Sequence, residues 1–329
     1  MDSITDGITA GIRNFQEWKK QDRCVVFPII TDLHSNWTES DPRNSQKRIT
    51  VKHLELLFQA AEAAKADFAA DLGDDGFEVP LKTEEEGRRL LEYMKSVCTQ
   101  NAVPFIHCIG NHDMFFNRLE DAFWGGWLAG INEGKTGFGI ERDGGYGCYD
   151  VPGKECRVLV LTTSDHPQRA GFSEKQLKYL QKQLMSIPSG HTAIVLTHIC
   201  PLHSARWRNY PVQNTIARFP ELTGLLTGFV RSGGKLAGVF SGDSHFDYFD
   251  SPDGVNYFVT QGYGGVGPKE LPPQGRVYHQ VSEQLGRSDT FDSTEHGLID
   301  LAAVKTEKRE VRIFRLGAGG FYFHRGARF

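Results

Sequence analysis

Five short apolar runs in this chain each end in a group that can bind a metal ion or carry a proton. Cys24–Thr31 (CVVFPIIT) leads into Asp32-Leu33-His34, and Phe68–Leu72 leads into Gly73-Asp74-Asp75-Gly76. Pro104–Ile109 leads into Gly110-Asn111-His112-Asp113, Thr192–Thr197 into His198, and Leu236–Ser241 into Gly242-Asp243-Ser244-His245. Apolar runs of this length bounded by turn residues read as buried strands. Among them, Val51–Lys65 and Thr83–Thr99 carry apolar residues at helical spacing, and Ser173–Met185 opens with a Ser-x-x-Gln capping signal. Strands alternating with helices predict an α/β fold, and open α/β sheets gather ligands outside the carboxyl ends of their strands. The pattern therefore delivers Asp, Asn and His to one sheet edge.

A sixth strand is expected at Arg157–Thr162, and further strands at Tyr257–Thr260, Gly297–Val304 and Glu310–Phe314. The expected architecture is an α/β sandwich built from residues 1–329 as a single domain. In it the C-terminal strands, from about residue 250 to 329, complete the second sheet. With 329 residues the chain can bury a large core without disulfides. Its six cysteines, scattered without a C-x-x-C pair, read as reduced thiols. Lys plus Arg number 37 against 41 Asp plus Glu, a formal charge of −4, which disfavours an electrostatically driven nucleic-acid binder. No stretch approaches the ~18 uninterrupted apolar residues of a membrane span. The opening MDSITDGITAGIRNF lacks a basic start and an apolar run, so a cytoplasmic protein is expected.

Taken singly, most of these motifs are bland. Asp-Leu-His suits a turn with a helix cap, Gly-Asp is a common turn dipeptide, and a lone His198 reads as a core histidine. Gly110-Asn111-His112-Asp113 is more specific, arising by chance roughly once in a thousand chains of this size. The ordered set D-x-H, G-D, G-N-H-D, H, G-x-x-H, spanning Asp32 to His245, resembles the calcineurin-like metallophosphoesterase superfamily. That resemblance implies a four-layer α/β/β/α sandwich with a two-metal centre at one edge. It implies that Asp32, His34, Asp74 and His245 hold one ion, and that Asp74 bridges to a second held also by Asn111, His198 and Asp243. His112 becomes the acid beside the leaving oxygen, with Asp113 orienting it. The implied activity is that of a metal-dependent phosphoester hydrolase, a hydroxide between the metals attacking phosphorus in line. A phosphodiesterase is the first choice of subclass; the alternatives are a phosphomonoesterase, a nuclease or a catalytically impaired scaffold.

The last motif departs from the family's usual G-H-x-H, because Asp243 stands where an imidazole is expected. Either Asp243 binds no metal and the second site is weak, or its carboxylate replaces the imidazole; the second reading is preferred because both donor atoms hang from Cγ. Two divalent ions would then be neutralised by Asp32, Asp74, Asp243 and a hydroxide. That balance favours the harder Mn and Fe, with Zn as the alternative, and a singly charged diester over a dianionic monoester. The expected partner is a small-molecule phosphoester, with nucleic acid less favoured and no membrane. His203 and Arg206 are candidates for clamping the phosphate. Asp75 is a neighbour of the centre or a turn cap, and Asp165 and His166 follow a strand toward the same edge. Trp37, Phe115, Phe116, Trp124 and Trp127 pack loops or stack on substrate. The glycine-rich segment from Gly262 to Gly267 reads as a tight connection near the metal edge.

Overall fold

The computed structural model describes residues 3–33, 45–75, 84–111, 113, 131–132, 135, 141–143, 145–163, 171–202, 205, 218–244, 247–260, 262, 276–277, 298–317 and 324–329. The first half contains α1 (Ser3–Lys19), β1 (Val25–Ile30), α2 (Ser45–Ala64), β2 (Ala69–Asp71), α3 (Glu84–Gln100) and β3 (Phe105–His107). Next come β4 (Glu141–Asp143), β5 (Tyr146–Asp150), β6 (Cys156–Val160), α4 (Glu174–Met185), β7 (Thr192–Leu196), α5 (Phe219–Arg231) and β8 (Lys235–Ser241). The rest is β9 (Tyr248–Asp250), β10 (Tyr257–Val259), β11 (Arg276–Val277), β12 (Leu298–Lys305), β13 (Glu310–Gly317) and β14 (His324–Arg328).

Two sheets form, one of six strands in the order β14-β13-β12-β1-β2-β3 and one of eight in the order β11-β9-β10-β8-β7-β6-β5-β4. Three apolar layers glue the stack. β1 shows why: Val26 and Ile30 join a core with Phe15 of α1, Leu57 and Ala61 of α2 and Met94 of α3. Its alternate residues, Val25, Phe27 and Ile29, meet Val158, Ile194 and Phe240 of the other sheet. A third core sets Leu177 and Leu180 of α4 and Leu222 and Leu226 of α5 against Leu159, Val195 and Val239. A strand buried on both faces must be apolar throughout, and all six residues of β1 are buried. The result is the four-layer α/β/β/α sandwich the sequence implies. All six cysteines are free and buried. No helix among the described residues is long and apolar enough to cross a membrane.

The C-terminal strands divide differently from expectation. β9, β10 and β11 belong to the second sheet, but β12, β13 and β14 extend the first. β12 runs antiparallel to β1, from Val25 opposite Val304 to Ile29 opposite Asp300. With β2 on one side only, the other edge of β1 carries open backbone groups deep between cores, and β12 satisfies them. α1, unforeseen in the sequence, covers β13: a Cβ on Gly11 would lie 2.7 Å from the Arg315 carbonyl oxygen, so only glycine admits this approach. In α4, Ser173 Oγ accepts from Gln176 N–H (3.0 Å) as the capping signal predicts. The Gln176 amide, however, bonds both backbone groups of Thr162 instead of returning to the cap.

A buried arginine reaches between the sheets. Period-two alternation puts Arg315 on the same face as Val311 and Ile313, where it is wholly buried. Its Nε donates to Asp300 Oδ1 (2.8 Å), directly opposite on β12, and its Nη2 donates to Asp247 Oδ1 (2.6 Å) just before β9. Thr260 Oγ1 donates to the other oxygen of Asp300 (3.0 Å). Arg315→Met should strand two buried carboxylates and lower unfolding free energy by about 3–5 kcal/mol, a loss to be read from equilibrium urea denaturation.

Candidate metal centre

The strand ends converge as loops. Asp32, Asp74 and Asp243 each follow a strand within three residues and each has positive φ, 54°, 61° and 63° respectively. L residues other than Asn and Asp adopt this conformation at a cost of roughly 1–2 kcal/mol, so aspartate suits these turns as well as offering a carboxylate. The loops are sewn together by hydrogen bonds. Asp32 N–H donates to the Gly73 carbonyl (2.8 Å), and Gly242 N–H donates to the His198 carbonyl (2.8 Å). Asp32 Oδ2 accepts from Thr31 Oγ1 (2.6 Å) and from the backbone N–H of Asp243 (3.1 Å).

His198 is oriented by its far nitrogen. Nδ1 lies 2.8 Å from the Leu72 carbonyl oxygen, an acceptor, so this nitrogen carries the proton. Nε2 is thereby turned to Asp74 Oδ2 at 3.0 Å and Asp243 Oδ1 at 3.8 Å. Fixing one ring nitrogen on a carbonyl to present the other is how metal-binding histidines are held. Asp32, Asp74 and His198, all buried, each offer one ligand atom within 4.8 Å of the others. Burial alone would lower the pKa of His198, but the carboxylates of Asp74, Asp32 and Asp243 outweigh it and hold the pKa well above the ordinary histidine value. Such a concentration of negative charge suits a cation.

Two further observations fit an ion. Asn111 Oδ1 is buried without a hydrogen-bond partner, a costly state for an amide oxygen unless something electropositive faces it. The surrounding backbone is also packed to exclude side chains. A Cβ on Gly110 would sit 2.5 Å from Asp74 N and collide with Asp74 Oδ1. One on Gly242 would lie 2.6 Å from Asp32 Oδ2, and one on Gly262 would lie 2.9 Å from Asp32 Cγ. Gly262, the first residue of the glycine-rich segment, thus does lie at this edge. Oxygen and imidazole donors with no thiolate suit Mn, Fe or Zn in an open site rather than a closed structural zinc.

Of the residues singled out in the sequence, Asp32, Asp74, Asp75, Asn111, Asp113, His198 and Asp243 fall within the described structure. Asp32, Asp74 and His198 meet, and Asp243 borders them, its side chain 25% exposed. His34, His112, His245, His203 and Arg206 lie outside the described residues, as do Asp165, His166 and the five loop aromatics. Asp113 has a second occupation. Its Oδ2 accepts from Asp74 N–H (2.9 Å) and Gly110 N–H (2.8 Å), and its Oδ1 accepts from Asp75 N–H (2.9 Å). It knots the β2 and β3 loops into one piece.

Asp75, read from the sequence as a neighbour of the centre or a turn cap, belongs to a group of its own. Asp71, Asp75 and His107 form a second buried group whose ligand atoms also lie within 4.8 Å of one another. Burial alone would strip His107 of its proton, but the adjacent Asp71 and Asp75 carboxylates raise its pKa to about 10. The signal is visible only once β2 and β3 are placed in register, for Asp71 then pairs directly with His107.

No family profile and no curated protein matches the sequence. Solved structures do match. A dimetal phosphatase from Danio rerio superposes with a TM-score of 0.63 at 12% identity, covering 92% of this chain and 98% of that one. GAP50, described as the anchor in the inner membrane complex of Plasmodium, superposes at 0.55 with 10% identity, covering 93% of this chain and 89% of its own. The chain therefore shares the fold of these two proteins, with carboxylate and imidazole donors gathered at the carboxyl ends of its strands.

Proposed function

We propose that this chain is a metal-dependent hydrolase of small-molecule phosphoesters that favours diesters over monoesters. The observation that carries the reading is the meeting of Asp32, Asp74 and His198 within 4.8 Å; the buried, unbonded oxygen of Asn111 follows Gly110, which packs against Asp74. Two divalent ions, when bound, supply a water of lowered pKa and neutralise charge on the phosphoryl oxygens. The chain's own residues do the rest by position. Asp74 carries two oxygens at the centre of the group and is the natural bridge. His198, locked by Leu72, presents one nitrogen without rotational freedom. Asp32 and Asp243 share a hydrogen bond, so the first and last ligand loops move as one. His112, next to Asn111 in sequence, is assigned protonation of the departing alkoxide.

Asp243 sets the preference among ions and substrates. A carboxylate there removes one positive charge relative to an imidazole, which favours Mn or Fe over Zn and weakens the pull on a dianion. A second reading has one specific support: GAP50 shares the fold and is described as an anchor. A scaffold, however, has no physical need for a histidine locked on a carbonyl beside three carboxylates.

Hydrolysis rates, metal affinity and stability test the reading. In a hydrolysis screen with Mn, Fe, Zn and Mg, bis-p-nitrophenyl phosphate should be cleaved best with Mn or Fe. His112→Ala should lower kcat about 100-fold or more on unactivated leaving groups. Equal rates with Zn and Mn together with a strong monoester preference would contradict the role given to Asp243, and failure to hydrolyse any ester would favour the scaffold. Separately, Gly110→Ala should weaken Mn affinity about 10–100-fold through displacement of Asp74, measured by competition with a fluorescent chelator. Chelation should destabilise the wild type by about 2.7 kcal/mol relative to metal at 100 times its Kd.

A further inference from the structure

Asp71, Asp75 and His107 do no work in the centre described above, yet they are as deeply buried as its ligands. Their side chains are 0%, 2% and 0% exposed. Asp71 ends β2 and His107 ends β3, on the face that Ala69 and Phe105 share with the helices. Asp75 reaches them from the loop that carries Asp74. Three features set this group apart from an ordinary buried ion pair.

First, the separations are those of ligands around a shared ion. His107 Nδ1 lies 3.5 Å from Asp71 Oδ2 and 3.3 Å from Asp75 Oδ2. Charge-assisted hydrogen bonds close to about 2.7–2.9 Å, whereas donors each about 2.1 Å from one ion at near-tetrahedral angles stand about 3.4 Å apart. Second, both carboxylate oxygens of Asp75 and Oδ2 of Asp71 are buried and accept no hydrogen bond. No lysine or arginine among the described residues pairs with Asp71, Asp75 or Asp113, so a single imidazole faces three carboxylates. A buried carboxylate without bonds or a cation is strongly disfavoured. Third, the outer contacts match those of a metal site. His107 Nε2 faces Asp113 Oδ2 at 3.8 Å, and Asp71 Oδ1 accepts from Gly73 N–H at 2.9 Å. The histidine thus has a carboxylate behind it, and the ligating aspartate is braced by backbone, as metal ligands commonly are.

We propose that Asp71, Asp75 and His107 hold a third divalent first-row ion, separate from the pair assigned to Asp32, Asp74 and His198. Asp71 Oδ2, Asp75 Oδ2 and His107 Nδ1 are its protein ligands. Asp113 couples the two sites, because the carboxylate behind His107 also accepts from the backbone N–H of Asp74. The ion fixes the β2 and β3 loops from beneath rather than touching substrate.

The test is metal content and position, which do not depend on turnover. Wild-type protein equilibrated with Mn²⁺ should show an anomalous diffraction peak between Asp71, Asp75 and His107, and His107→Gln and Asp75→Asn should each bind one Mn²⁺ equivalent fewer. Asp32→Asn combined with His198→Ala should lose the other ions and keep this one. Circular dichroism confirms that each variant is folded. Unchanged stoichiometry in folded His107→Gln and Asp75→Asn overturns the proposal. So does the lack of a peak among the three residues in the wild type, a result that needs no variant. A peak there with none at Asp32 and Asp74 would instead sink the hydrolase reading and leave the third site standing.

Discussion

Crowding of like charge is the constraint that shapes this molecule. Asp32, Asp74 and Asp243 surround one imidazole, and Asp71, Asp75 and Asp113 surround another a few residues away. Two carboxylates 4 Å apart repel by about 4 kcal/mol at an effective dielectric near 20. A few such pairs equal the whole margin of about 5–15 kcal/mol by which domains are stable. The repulsion must therefore be met locally. Part of the answer is visible in the backbone: Asp113 accepts three N–H groups, and Asp32 accepts one N–H and one hydroxyl. Bonds to a charged acceptor contribute about 1.5–3 kcal/mol each, enough to hold individual carboxylates but not to neutralise the cluster. The proposed cations would complete the balance.

The sandwich makes that arrangement rigid. β1 is apolar on both faces and lies between two cores, so its end, where Asp32 sits, has no freedom to drift. The two sheets, each delivering some of the candidate ligands, are pinned to one another by Arg315, which reaches from Asp300 in the first sheet to Asp247 beside the second. Asp247 stands two residues beyond His245 and four beyond Asp243. The cross-sheet ion triad thus anchors the chain at Asp247, four residues beyond Asp243. Burying an arginine with two aspartates adds little net stability by itself; its value here is registry between layers.

How far the sequence could be read follows from the range of each interaction. The strands that end in candidate ligands were legible because each is a continuous apolar run closed by Gly-Asp, Gly-Asn, Asp-x-His or, after Thr197, a histidine, a signal contained within about ten residues. The helix over Ser3–Lys19 was not, since Gly7 and Gly11 interrupt its pattern, and Gly11 is required by the contact with β13, some three hundred residues away. The placement of β12 against β1 is equally non-local, and it moved three strands from the expected sheet to the other. The Asp71 and His107 group depends on the parallel register of β2 and β3, which no single stretch of sequence states. Arg315 reads as a surface residue in EVRIFRLG until alternation and the partner strand are fixed together.

Asp243 brings these strands of argument to one point. Its backbone N–H bonds Asp32 while its carboxylate stands 3.8 Å from His198, and its φ is 63°. An aspartate is favoured over a histidine in that left-handed turn, because its short side chain tolerates the conformation. The same substitution that looks like a loss of a ligand by comparison with the family pattern is therefore a gain in local backbone fit. It also adds a negative charge to an already acidic edge. The two effects are opposed in a metal-free protein and would be aligned in a metal-bound one, where the proposed ions would attract the extra carboxylate.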